Sequence, residues 1–281
     1  MALLRVAVPN KGRLLEPTER LLRDAGLVFE RGSRALTVPV RNVPIELMFV
    51  RTEDVVELVA DGVAGAGITG LDLVGEADAA LDVVAELGFG QCRLTAAVAN
   101  SSPAEKLEDL IGLRVATAHP GLTARLLAER GIDVTIVPLR GSVEVAPRLD
   151  VADAIVDLVS SGSTMLVNGL RPIATLLESQ AVLVAGSPED DGVARLATML
   201  KAVVAGRGRR YLMMNAPGDS VEEISGLIPG LRAPSVIPLA HNGDVAIHSV
   251  VLADDLWHVL PRLEEAGATG ILVLPVEQVI A

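Results

Sequence analysis

Between Asp153 and Thr164 the chain reads DAIVDLVSSGST, an arrangement of residue types able to hold a phosphorylated sugar. An apolar run (Ala154, Ile155, Val156, Leu158, Val159) carries two carboxylates, Asp153 and Asp157, and then gives way to Ser160, Ser161, Gly162, Ser163 and Thr164. A glycine flanked by hydroxyls directly after a strand turns backbone N–H groups toward an anion, usually phosphate, where the next helix begins. Ionised carboxylates only accept hydrogen bonds, so Asp153 and Asp157 cannot bind that phosphate; they suit a metal ion or sugar hydroxyls beside it. Together these residues fit a ribose bearing a 5′-phosphate. They fit equally well a solvated strand followed by an ordinary polar turn.

Cations and glycines recur at strand ends elsewhere. Leu3 to Val8 ends in Pro9, Asn10, Lys11, Gly12 and Arg13, ahead of a helix marked by Leu14, Thr18, Leu21, Leu22 and Ala25 at 3.6-residue spacing. Lys11 and Arg13 beside that helix start form a candidate polyanion site, although exposed basic loops are common. Arg51 follows a second strand, where side chains project into the crevice of an open α/β sheet. Gly65, Gly67 and Gly70 in GAGITG match the dinucleotide fingerprint in letters only: an amphipathic helix precedes them, and the strand Val63 to Ile68 is expected to contain the first two glycines. Thr69, Gly70 and Asp72 end that strand, where backbone could approach a ligand. Glu144, in the first turn after Gly141 and Ser142, complements a helix dipole by default.

The elements that must position these groups alternate. Strands are expected at Leu36 to Val40, Val43 to Val50, Asp82 to Leu87, Arg93 to Ala99, Leu113 to Thr117, Asp133 to Pro138, Ile173 to Leu177 and Ala181 to Val184. Helices between them are marked by Thr52 as a cap, by a capping box at Ser102, Pro103 and Glu105, and by Leu122 to Arg130 and Ser142 to Leu149. This alternation argues for a mostly parallel sheet covered on both faces. A long helix with Val193, Leu196, Ala197, Leu200, Val203 and Val204 ends at GRGRR, the clearest boundary in the chain. Beyond it, Tyr211 to Asn215, a helix capped by Ser220 with Glu223, strands Ser235 to Ala240 and Val245 to Leu252 joined by HNGD, a helix at Leu256 to Leu263, and Gly270 to Leu274 give β-α-β-β-α-β, the ferredoxin-like order.

The 281 residues are 50% hydrophobic but only 2% aromatic, so the core must be Ala, Val, Leu and Ile. A formal charge of −12 and the shortage of aromatic stacking platforms exclude a nucleic-acid or membrane-surface role. Of 24 basic residues only Lys11, Lys106 and Lys201 are lysines, so arginine in an anion site partly reflects composition. One cysteine, Cys92, excludes an internal disulfide framework. The opening MALLRVAVPNKG is no signal peptide, and no apolar run approaches the ~20 residues of a membrane helix, so a soluble cytoplasmic protein is expected.

The chain resembles the long form of ATP phosphoribosyltransferase along essentially its whole length. The resemblance rests on LRVAVPNKGRL, GITGLDLV at Gly67 to Val74, GSVEVAPRL at Gly141 to Leu149, ADAIVDLVSSGSTMLVNGL at Ala152 to Leu170, and the C-terminal PLA…VAIHSVV…GATGILVLPVE. It implies two lobes of periplasmic-binding-protein type (type II) plus a ferredoxin-like, ACT-like regulatory domain. Residues 1–99 completed by 186–210 would form the first lobe, 100–185 the second and 211–281 the regulatory domain. The implied reaction moves the phosphoribosyl group of phosphoribosyl pyrophosphate onto N1 of ATP with Mg²⁺, as the first step of histidine biosynthesis, in a hexamer built from dimers and inhibited by histidine. Carried over residue by residue, Ser160, Ser161, Gly162, Ser163 and Thr164 would hold the 5′-phosphate and Asp153 and Asp157 the ribose hydroxyls. Lys11, Gly12, Arg13 and Arg51 would face pyrophosphate or ATP phosphates, Gly67, Thr69, Gly70 and Asp72 would line the other cleft wall, and Glu144 becomes a site residue. Asn215, Ser235 and Thr269 would meet histidine. The family usually has an aromatic residue where this chain has Asp244, which bears on effector binding alone. His119, His241, His248 and His258 are too dispersed for a metal site and are read as structural or exposed. A cytoplasmic anion sensor, a prephenate dehydratase and a nicotinamide dehydrogenase are the rival readings; the first would release no pyrophosphate.

Overall fold

Apolar runs bounded by glycine and proline become buried strands, and amphipathic segments between them become covering helices. The computed structural model describes residues 2–32, 35–160, 162–228, 230–240 and 243–280. The chain begins with β1 (Leu4–Pro9), α1 (Leu15–Asp24), β2 (Thr37–Pro39), β3 (Ile45–Val50), α2 (Asp54–Ala60), β4 (Ala66–Gly70), α3 (Leu71–Ala77) and β5 (Asp82–Glu86). It continues with β6 (Cys92–Ala99), β7 (Arg114–Thr117), α4 (Pro120–Ala128), β8 (Thr135–Pro138), β9 (Ala154–Val159), α5 (Ser163–Val167) and β10 (Leu170–Ser179), then β11 (Ala181–Ala185) and α6 (Asp191–Gly206).

Two sheets result, ordered β2-β3-β1-β4-β11-β5 and β10-β6-β9-β7-β8. This is the expected two-lobed arrangement, but the sheets are mixed rather than mostly parallel. β3, β1 and β4 run parallel, as do β9, β7 and β8, whereas β11 and β6 run against their neighbours. The reason is that β6 and β11 each enter from the opposite lobe and cannot arrive by a local βαβ crossover. The chain therefore changes lobe at 87–91 and again at Gln180, one strand earlier each time than the expected Ala99 and Gly186. These segments bond to each other, with Leu87 N donating to Ala181 O at 3.0 Å and Ala181 N to Phe89 O at 2.9 Å.

Some local expectations fail because another donor or acceptor is closer. Thr52 caps nothing: its carbonyl accepts from Thr69 Oγ1, and Glu53 occupies the N-cap of α2. The helix expected from Ser102 is a single 3-10 turn, Leu107–Leu110, where Asp109 Oδ2 accepts from Glu105 N and Lys106 N at 2.8 and 3.1 Å. The segment after Ser142 is two such turns, Val143–Val145 and Pro147–Leu149. β4 holds Gly67 and Gly70 and leaves Gly65 outside it.

The chain divides into two compact units, 1–200 and 201–281, inside α6 and just ahead of GRGRR. The second unit has β12 (Arg209–Pro217), α7 (Val221–Leu227), β13 (Ser235–Pro238), β14 (Asp244–Leu252), α8 (Leu256–Glu265) and β15 (Thr269–Pro275). Its sheet order, β13-β14-β12-β15, with every pair antiparallel, is the ferredoxin-like topology. Leu212, Met214, Ala216 and Ile247 pack with Ile224 of α7 and Leu263 of α8 in one core. The turn expected at HNGD falls on His241 and Asn242, outside the described residues.

Candidate active site

Parallel strands β7 and β9 bring their carboxyl ends together, with Thr117 opposite Val156. In such sheets ligands bind beyond these ends. Asp157, one residue past that register pair, is half-buried, and its Oδ1 accepts from Leu158 N at 2.8 Å. Burial pushes its carboxyl above the ordinary value; the Leu158 hydrogen bond and His119 oppose this, and Glu144 adds to it. Glu144 belongs to the turn Val143–Val145, held in place by the buried Val143 and Ala146. Beyond β9, Ser160 is exposed and Gly162 takes φ 78°, the left-handed conformation glycine adopts without strain, to start α5. Thr164 is exposed, and its carbonyl accepts from Asn168 N. Ser161 and the side chain of Ser163 lie outside the described residues.

The first lobe answers with cations. Lys11 and Arg13 flank Gly12, itself at φ 78°, in the exposed loop after β1, and Arg51 follows β3, whose Val50 pairs with Pro9. Arg13 reaches the second lobe, its Nη1 donating to Ser160 Oγ at 3.1 Å and its Nη2 to Cys92 Sγ at 3.0 Å. Lys11, Arg13 and Arg51 thus leave neighbouring strand ends, and one of them touches the Ser160 turn.

Two groups of expected residues are placed elsewhere. Asp153 precedes β9, whose six residues span about 20 Å at ~3.3 Å each, so it lies at the far end of the strand from Ser160. There it is held by Arg114, Nη2 to Oδ1 at 2.8 Å and backbone N to Oδ2 at 2.9 Å, and the guanidinium keeps its carboxyl below the usual range. It is a structural acid and not a ribose ligand. Gly67, Thr69, Gly70 and Asp72 are buried and do not line the cleft. A Cβ on Gly67 would stand 2.5 Å from Val55 Cγ1, so this glycine serves the packing of α2 on β4. Asp72 Oδ1 accepts from Ser179 Oγ at 2.6 Å, and Thr69 is spent on Thr52.

Two further residues stand at the site's edge: His119, read from sequence as structural or exposed, and Glu76, which the sequence did not single out. His119 occupies the N-cap of α4, is 7% exposed, and has a buried Nδ1 with no hydrogen-bond partner among the described residues. Its place between a strand end and Pro120-Gly121 was the available signal. Glu76, from α3 in the first lobe, accepts from Gly121 N and Leu122 N at 3.0 and 2.7 Å, capping α4 across the lobes. Nothing local in the sequence marks that contact.

Residues 51–202 match the family model described as ATP phosphoribosyltransferase (HisG), and 206–278 match HisG, C-terminal domain. The ATP phosphoribosyltransferase of Gemmatimonas aurantiaca is 44% identical, over 99% of this chain and 100% of its own. This chain belongs to the ATP phosphoribosyltransferase family. A relative from Cytophaga hutchinsonii is 39% identical over 99% of this chain and 98% of its own. In the solved ATP phosphoribosyl transferase (HisG:HisZ) complex from Thermotoga maritima, one chain is 28% identical with a TM-score of 0.62, covering 72% of this chain and 98% of that one. With the C-terminal domain attached, the present chain is the long form of the family. It is a transferase of the phosphoribosyltransferase type.

Within the family's C-terminal domain, Asn215, Ser235 and Thr269 share the helix-free face of the sheet. Asn215 pairs with Thr269 on β15 and Ala246 on β14, and Ser235 pairs with His248, two residues on from Ala246. His248 Nδ1 lies 3.0 Å from the Tyr211 hydroxyl on the same face. Among the described residues, no three His, Cys, Asp or Glu side chains gather as a metal cage, and no helix is long and apolar enough to cross a membrane.

Proposed function

We propose that the cleft between the lobes of this family member transfers the phosphoribosyl group of phosphoribosyl pyrophosphate to N1 of the adenine of ATP, the first step of histidine biosynthesis. The observation that carries this reading is the Arg13–Ser160 contact, which joins a cation-bearing loop of one lobe to the strand, glycine turn and helix of the other. The new bond runs from N1 to the anomeric carbon as the bond to pyrophosphate breaks, inverting that carbon. N1 already presents a lone pair, so no general base is needed. Charge separates in the transition state, positive on the ribose and negative on pyrophosphate, so positioning and electrostatics must supply the rate.

Each group then has a task. The Ser160–Thr164 turn holds the 5′-phosphate, and Asp157, with Glu144 beside it, takes the ribose hydroxyls. Lys11, Arg13 and Arg51 face pyrophosphate and the ATP phosphates. Mg²⁺ fits as a passenger on the substrate, because it favours phosphate oxygens and water over all-protein cages. Bound there, it neutralises the leaving group.

Histidine, in this proposal, binds the helix-free face near Asn215, Ser235 and Thr269 and inhibits. Exposed Leu272 and Leu274 on edge strand β15, and Val236 and Ile237 on edge strand β13, support self-association, here into a hexamer built from dimers, because apolar edges in water invite pairing. A cytoplasmic location follows from the reaction proposed.

The test is pyrophosphate release with ATP, phosphoribosyl pyrophosphate and Mg²⁺, with and without histidine. Release that needs both substrates and falls with histidine is expected. No release under any condition would overturn the reading in favour of an anion-binding protein; release indifferent to histidine would remove its regulatory half.

A further inference from the structure

We propose that His119 is a positioning residue for the phosphoribosyl group: it follows the carboxyl end of β7, next to the end of β9 that carries Asp157, and, when substrate binds, gives that carboxylate the cationic partner that keeps it an acceptor for ribose hydroxyls. The proposal rests on the phosphoribosyl reading of the Ser160–Thr164 turn and deepens it with a residue outside that turn.

Geometry sets the pair. β7 and β9 are adjacent and parallel, with Thr117 opposite Val156, so the chain leaving β7 for His119 emerges beside Asp157. The backbone there is fixed, because His119 N donates to Thr117 Oγ1 at 3.0 Å and Pro120 begins α4. The ring is 7% exposed, and its buried Nδ1 has no partner among the described residues. A polar nitrogen withheld from water and left unpaired costs stability, so Nδ1, which no described protein group takes, is open to a partner.

The charges around the pair leave that role to His119. Asp157 comes from β9 and Glu144 from the turn Val143–Val145, and the Glu144 charge acts on Asp157. From α3, Glu76 approaches α4, but its oxygens are taken by Gly121 N and Leu122 N. Arg125, further along α4, is turned to the Gly75 carbonyl and to Asp78 at 3.7 Å. Of these groups, the imidazole is the one that can bring positive charge to Asp157. Phosphate arriving at the neighbouring turn adds negative charge to the same strand ends, which strengthens the demand for a cation there.

The test uses the full chain carrying His119→Gln, His119→Phe or Thr164→Ala. Initial rates are measured against each substrate between about pH 5 and 8, the range in which imidazole changes charge. Both His119 variants are expected to raise KM for phosphoribosyl pyrophosphate roughly tenfold, the loss of one charge-assisted contact, with kcat and KM for ATP little changed. They should also move the acid limb of kcat/KM to higher pH, because Asp157 then ionises without a cation beside it. Phenylalanine keeps the ring volume without its nitrogens; glutamine keeps a hydrogen-bonding group without the charge, so one variant suffices if the other does not fold. A wild-type acid limb and KM in the folded variants would overturn the proposal. If Thr164→Ala raises KM while the His119 variants behave as wild type, the His119 proposal alone falls; if Thr164→Ala also leaves KM unchanged, the phosphoribosyl reading falls and takes the proposal with it.

Discussion

Arg13 and Ser160 sit 3.1 Å apart across two lobes whose sheets share no strand. Removing the guanidinium takes a charge-assisted donor from the cleft, worth about 1.5–3 kcal/mol when its partner is engaged. Arg13→Ala should therefore cut kcat/KM for phosphoribosyl pyrophosphate by roughly 10- to 100-fold, with the larger loss at low ionic strength. Because Arg13 is exposed, the thermal midpoint should barely move. Steady-state kinetics at two salt concentrations check both statements.

Asp153 should behave as a structural acid. Its folded pKa is held below the ordinary carboxylate value by Arg114, so its stabilisation is present above the unfolded pKa of ~3.9 and is lost as pH falls through the folded value. Asp153→Asn should lower the thermal midpoint at pH 7 and leave KM for phosphoribosyl pyrophosphate unchanged. The gap between wild type and variant should close as the buffer is taken below about pH 4, where the wild-type carboxylate also loses its charge. Thermal scans at a series of pH values read this directly.

Asp157 should show the opposite sign. Burial raises its folded pKa, so its contribution to stability is fully present below the unfolded value of ~3.9 and is lost as pH rises through the folded value. Asp157→Asn does not ionise and escapes that loss. The variant should melt above wild type at pH 7, show no such advantage near pH 3.5, and use phosphoribosyl pyrophosphate far less well. An asparagine variant less stable than wild type at pH 7 would contradict the assignment.

Glu76 should matter to a helix in the other lobe. Glu76→Ala leaves the first-turn N–H groups of α4 without their carboxylate, a loss of about 1 kcal/mol by comparison with other N-terminal caps. Amide hydrogen exchange at Gly121 and Leu122 should quicken in the variant. Unchanged protection there would show that water or another group replaces the carboxylate at no cost.

Local chemistry made much of this protein legible. The 2-residue and 3.6-residue periods located nearly every strand and helix, since apolar spacing reports which face is buried. The second unit's β-α-β-β-α-β order was readable for the same reason and fixes its topology once all pairs are antiparallel. Gly162 was readable too, as a glycine after an apolar run and among hydroxyls marks a left-handed turn before a helix.

Contacts between residues distant in the chain were not legible, because side-chain pairing depends on where strands end in space. Asp153 and Asp157 look alike in sequence, yet one precedes β9 and is taken by Arg114 while the other lies near its carboxyl end beside His119 and Glu144. Gly67, Thr69, Gly70 and Asp72 looked like a cleft wall until α2 and Ser179 covered them. The crossings at 87–91 and Gln180 were misplaced because a strand of β-forming residues carries no label for the sheet it joins. Sequence alone settled the family, the elements and the glycine turn, all of which depend on near neighbours. Only the tertiary structure decided which acid faces the cleft, which histidine stands beside it, and which glutamate ties the lobes, since each depends on a partner that folding alone brings within hydrogen-bond reach.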